Sequence, residues 1–209
     1  FPKFAPMQLV QMGIEAQQHP EQSVNQMFSQ THLGYRISRA DDLRVLQIRQ
    51  DGFAYSHMAP YTDWATFRSE AYPLWNRYKE ACPGIVTTRC AVRYINRIDI
   101  PSASVEIEDY FTLYPEIPKS LPAIDVAGMT MMVQIPQPDL KCMAVINQSL
   151  VPAGKPNSVS VILDLDIFRL GIESWTDTQL WDFLDKLRDR KNELFEGCIT
   201  DRTRELIDQ

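Results

Sequence analysis

The chain has 209 residues, enough to bury a core, and its 44% hydrophobic and 23% charged residues are the proportions of an ordinary globular fold. A formal charge of −6 argues against nucleic-acid binding driven by bulk electrostatics, and no apolar run approaches the roughly 20 residues of a membrane-spanning helix. Cys82, Cys90, Cys142 and Cys198 are scattered without a C-x-x-C pair, which reads as reduced thiols rather than a disulfide framework or a zinc site. A cytoplasmic location is the resulting expectation.

The chain opens at Phe1 with no initiator methionine, and residues 7–16 read as extended. Val24, Met27 and Phe28 fall at helical spacing and predict a short helix over 20–28. Strand-like runs follow at 34–39, 43–49 and 52–58, with Asp41-Asp42 and Asp51-Gly52 as tight turns; Asp-Gly is a strong hairpin signal. A helix is expected to begin at a Thr62 cap and run to residue 81. Its aromatic stripe of Trp64, Phe67, Trp75 and Tyr78 reads as core packing against a sheet, and Pro73 should kink or split it at about 3 kcal/mol. A long strand is expected over 85–100, a short helix over 105–113, then strands at 127–135, 141–150 and 158–168. Thr176 and Gln179 form a capping-box pair that opens the last helix, which Gly197 should interrupt before a final turn at DRTRELI.

This order predicts an α+β fold of pseudo-duplicated strand–helix–three-strand–helix units, with antiparallel sheet and helices packed on one face. The expectation is a single domain made of two similar halves, about 1–82 and 83–209.

Strand periodicity puts Arg89, Arg93 and Arg97 on one face of the 85–100 strand, and Asp164 and Asp166 on one face of LDLDIF. The plain interpretation is a solvated face of cross-strand ion pairs, each contributing roughly 0.2–1 kcal/mol. A sharper one is an anion-binding surface built on arginine forks, and a third is a protein interface.

RYINRI followed by proline, PYTDWATF with Leu74, Trp75 and Tyr78 beyond it, LDLDIF, and the ending LFEGCITDRTRELI resemble a sporadically distributed bacterial family of proteins of unknown function. The resemblance runs from GYRIS to the C-terminus. Members usually begin with a further strand and helix, which implies that such a piece precedes Phe1. The resemblance brings no catalytic residue.

No G-x-S-x-G, P-loop, dinucleotide fingerprint or H-E-x-x-H occurs, and His19, His32 and His57 lie in separate elements. No catalytic residue, metal site or cofactor is therefore assigned. The leading expectation is a non-catalytic binding or interaction module using the face of Arg89, Arg93, Arg97, Asp164 and Asp166, with a protein or a small anionic ligand as partner. The alternative is a metal-dependent phosphoesterase-like enzyme in which Asp164 and Asp166 hold the ion and the arginines clamp phosphate. The 62–81 helix carries more aromatic surface than one stripe can bury, so Trp64, Tyr72 and Trp75 are expected to support self-association, with a homodimer as the simplest form. Trp175, just before the Thr176 cap, is expected to staple onto Leu180.

Overall fold

Alternating apolar positions build two four-stranded antiparallel sheets, and three α-helices accompany them, an α+β class. The computed structural model describes residues 2–14, 26–118, 120–122 and 126–207, and the chain divides into two compact units, Phe1–Ile85 and Val86–Gln209. No helix of the described residues is long and apolar enough to cross a membrane.

In the first unit, β1 (Lys3–Ile14), β2 (Gln26–Ser38), β3 (Arg44–Arg49) and β4 (Gly52–His57) form a plain meander in chain order. The expected hairpin is present, but its two-residue turn is Gln50-Asp51 rather than Asp51-Gly52, since Gly52 is the first residue of β4 and pairs with Arg49. The helix expected over 20–28 is not found at 26–28, which is strand; residues 20–25 lie outside the described residues.

α1 (Trp64–Ala81) starts one residue later than expected. Asp63, not Thr62, is the cap, and its carboxylate accepts from the Thr66 N–H at 2.8 Å. Pro73 does not split the helix, which runs unbroken through it. The stripe of Ala71, Trp75 and Tyr78 is buried, and Phe53 of β4 meets the rings of Trp75 and Tyr78 at 5.6 and 5.5 Å. Burying large side chains at roughly 1.5–3 kcal/mol each offsets the proline.

The second unit contains β5 (Arg89–Ile100), β6 (Thr130–Gln137), β7 (Cys142–Val151) and β8 (Val159–Leu170), in the order β5-β8-β7-β6. The strand orders of the two units thus differ, because β5 lies beside the last strand of its sheet rather than beside the next. α2 (Asp177–Cys198) packs over β5 and β8, and α3 (Asp201–Ile207) follows. Thr176 makes the expected capping box with Gln179, but Gly197 does not interrupt α2. Trp175 sets its ring edge-on to Phe183 at 5.0 Å, with the Arg169 guanidinium 4.7 Å over it.

The helix expected over 105–113 shrinks to a 3-10 turn, Ile107–Asp109. Tertiary contacts outcompete the helix there. Tyr110 and Phe111 are drawn into a core with Ile98, Ile100, Ile146, Val161, Leu163, Leu165, Cys198 and Ile199. Phe111 bridges to Ile199, the Thr112 N–H donates to the Cys198 carbonyl at 3.0 Å, and the Thr203 hydroxyl donates to the Tyr110 carbonyl at 2.6 Å.

Candidate functional site

β5 has two chemically distinct faces. Cys90, Val92, Ile98 and Ile100 are buried on the helix-covered face, whereas Arg89, Arg93, Ile95 and Arg97 project from the opposite, open face of the sheet. β8 repeats the division: Val161, Leu163, Leu165 and Ile167 are buried, and Asp164 and Asp166 share the open face. The pairing register then defines rows across that face. Ile95, Asp164, Asn147 and Met132 stand in one row, and Arg93, Asp166, Val145 and Gln134 in the next.

The structure brings the five expected residues to one face, each arginine with a partner. Arg93 takes not the aspartate directly opposite, Asp166, but its diagonal neighbour. Its Nε and Nη2 donate to the two Asp164 oxygens at 2.8 and 2.6 Å. This bond raises the Arg93 pKa against the opposing effect of burial. Arg89 donates from Nη2 to Asp166 Oδ2 at 3.2 Å, and its guanidinium stacks 4.5 Å over the Phe168 ring.

Arg97 is a fastener. Its Nε donates to Asp99 Oδ1 at 2.9 Å, and its Nη2 donates to the Pro152 carbonyl at 3.1 Å and to Ser160 Oγ at 3.0 Å. Ser160 in turn donates to Asp99, and together with Arg97 that bond holds the Asp99 carboxyl below the usual range. Gly154 lies so close that a Cβ there would sit 2.6 Å from Arg97 Nη2, so the β7–β8 loop closes down on the guanidinium.

This geometry bears on each chemical reading. An arginine fork that already holds a carboxylate bidentately does not present that fork to a phosphate. Both oxygens of Asp164 face Arg93, and no group of three His, Cys, Asp or Glu side chains is placed to hold a metal ion among the described residues. Beside the half-exposed Arg93, this face presents apolar side chains: Ile95 and Met132 at the two ends of the Asp164 row, and Leu170 at the far end of β8, are each 62% exposed.

The three expected interface aromatics of α1 differ in their surroundings. Trp75 is buried, contrary to expectation, because Phe53 and Tyr78 enclose it. Trp64 is partly buried and stacks on Phe67 at 5.4 Å, while Tyr72 is exposed. His32 lies 4.7 Å from the Tyr35 ring and His57 5.5 Å from Tyr61; His19 falls outside the described residues.

Two polar features escaped sequence reasoning. Under α1, Glu70 accepts from Arg44 Nε and from the Tyr55 hydroxyl, both at 2.6 Å. Glu70 sits between apolar helix positions and carries no motif, so only an i-to-strand contact reveals it. In the second unit, Gln148 is fully buried on the helix-covered face of β7, and neither side-chain amide atom has a partner among the described residues. Its place in the alternation KCMAVINQSL would have flagged a polar residue on the buried face. The first unit has a shallow, open dent of about 270 Å³, lined by Gln47, Arg49, Asp51, Gly52, Phe53 and Ala54.

No protein-family model, no curated protein and no solved structure matches this chain.

Proposed function

We propose that this protein is a non-catalytic interaction module whose β5-β8-β7-β6 sheet receives a protein partner on its open face. The carrying observation is the row Ile95–Asp164–Asn147–Met132, exposed and apolar at both ends around a neutralised ion pair. Apolar anchors beside a self-satisfied charge pair suit a protein surface, where desolvating a free arginine would be costly. A small anion would have to share Arg93 and Arg97 with the Asp164 and Asp99 carboxylates that they already bind, which weakens the pull of either guanidinium on it. The reading includes membership of the bacterial family that RYINRI, LDLDIF and ITDRTRE resemble, which brings no activity. It also includes internal duplication: β2-β3-β4-α1 and β6-β7-β8-α2 share one order of elements.

The test is site-specific photo-crosslinking in the producing cell. A photoreactive residue at Ile95 or Met132 should yield an adduct to one common protein, and a control at exposed Asp182 on α2 should not. Ile95→Glu should abolish the adduct formed from position 132. Equal labelling from all three positions would overturn the proposal.

A further inference from the structure

Among the described residues each sheet leaves two strand edges without a neighbouring strand, and three of these four edges carry a feature that discourages pairing. β1 has Lys3 and Pro6, β5 has Arg89, Arg93 and Arg97, and β6 has Pro136. Charges and prolines at such positions are the usual protection of a sheet edge. β4, with the sequence GFAYSH, has neither.

The register says which backbone groups are on offer. Arg49 pairs with Gly52 around the two-residue turn, and the Met58 N–H donates to the Leu43 carbonyl at 2.8 Å. Alternation from these two points turns the N–H and C=O of Ala54 and Ser56 toward β3. The N–H and C=O of Phe53, Tyr55 and His57 therefore face outward, where no described strand meets them. In the second unit the corresponding last strand, β8, has that same outer edge filled by antiparallel β5.

We infer that the outer edge of β4 pairs antiparallel with β4 of a second copy of this chain, about a two-fold axis. The nearest charges are held by partners within the chain: Arg49 binds Asp51 at 2.7 Å, and Glu70 takes Arg44 at 2.6 Å and Arg39 at 3.5 Å. β4 itself carries no Lys, Arg, Asp or Glu to select a charged partner, and such a strand is complementary to its own copy in a symmetric antiparallel pair. α1 packs over β4 with Tyr72 exposed, so a two-fold axis at the edge would bring the two helices side by side. A six-residue strand spans about 20 Å, which puts the interface at the small end of the range.

The experiment pairs sedimentation with amide exchange, over about 5–500 µM protein. The expected result is a monomer–dimer equilibrium in which exchange at Phe53, Tyr55 and His57 slows at least tenfold with concentration. Exchange at Ala54 and Ser56, already paired to β3, should not change. Ala54→Lys introduces like charges across the axis from an exposed position and should shift dissociation at least tenfold. Its circular dichroism and melting midpoint check that it folds, and Ala54→Glu serves if it does not. A monomer at the highest concentration would overturn the inference. So would a dimer that leaves the three outward amides unprotected, or one indifferent to charge at position 54.

Discussion

Arg93 and Glu70 each satisfy a partner that has few alternatives. Arg93→Ala would leave the Asp164 carboxylate, whose side chain is 9% exposed, without its two charge-assisted hydrogen bonds. Because Arg93 is itself half exposed, the expected loss is about 1–2 kcal/mol, less than for a fully buried pair. Arg93→Ala with Asp164→Asn should lose less than the sum of the single changes, which denaturant unfolding of the four proteins would measure. Additive losses would show that the pair is not coupled. Glu70 gives a pH dependence. Burial pushes its carboxyl up, but hydrogen bonds from Tyr55 and Arg44 outweigh it, so the net position is below the ordinary 4.5. Burial and the Glu70 contact push the Tyr55 phenol up, so it remains a proton donor. A depressed carboxyl stabilises the fold above about pH 4.5, and that stability drains as pH falls through the lower folded value. Glu70→Gln should therefore flatten this part of the acid limb in melts between about pH 5 and 3. An unaltered limb would mean that the contact contributes nothing.

At the level of elements, close backbone approach and non-local anchoring matter more than propensity. Gly34 of β2 has φ +150°, and a Cβ there would lie 2.1 Å from the Ile48 carbonyl oxygen of β3. Backbone must move to admit any side chain. Gly34→Ala should lose about 2–3 kcal/mol, seen as a lower denaturant midpoint with little change in slope. A neutral substitution would mean that β2 and β3 separate more readily there than their pairing implies. In the second unit the ITDRTRE ending is an anchor. The Thr200 hydroxyl donates to the Asp109 carbonyl at 2.7 Å, Arg202 binds Asp109 at 2.7 Å, and Thr203 holds Tyr110. RYINRI is used in the same way: Asn96 Nδ2 donates to the Leu163 carbonyl at 3.1 Å, beside Arg93 and Arg97 at their own partners. Both segments thus serve packing and pairing within the unit.

For the whole molecule, a formal charge of −6 coexists with an extensive set of internal ion pairs, so arginine content alone does not make a cationic surface. Each unit keeps its own sheet, with α1 in the first and α2 and α3 in the second, and each exposes a different kind of surface. The first offers a strand edge that no described strand meets, and the second offers an open sheet face with apolar ends. Backbone pairing at the edge and side-chain contact on the face call on different chemistry, so one surface can fail its test while the other passes.

The sequence by itself determined the elements whose signals are local. The period-two alternation of β5 and β8, the existence of the β3–β4 hairpin and the Thr176/Gln179 capping box follow from backbone geometry and from hydrogen bonds between residues a few positions apart. The same alternation placed Arg93 and Asp164 on the faces where they are found. It could not choose between Asp164 and Asp166 as the partner of Arg93, because that choice depends on register and on side-chain reach along the diagonal. Nor could it choose between the core and the interface for Trp75, show Gln148 without a partner among the described residues, or foresee the helix expected at 105–113 giving way to the Phe111–Ile199 bridge. Each of these depends on residues brought together from distant parts of the chain. Only the tertiary structure decided them, since burial and pairing are properties of the neighbours a residue acquires on folding.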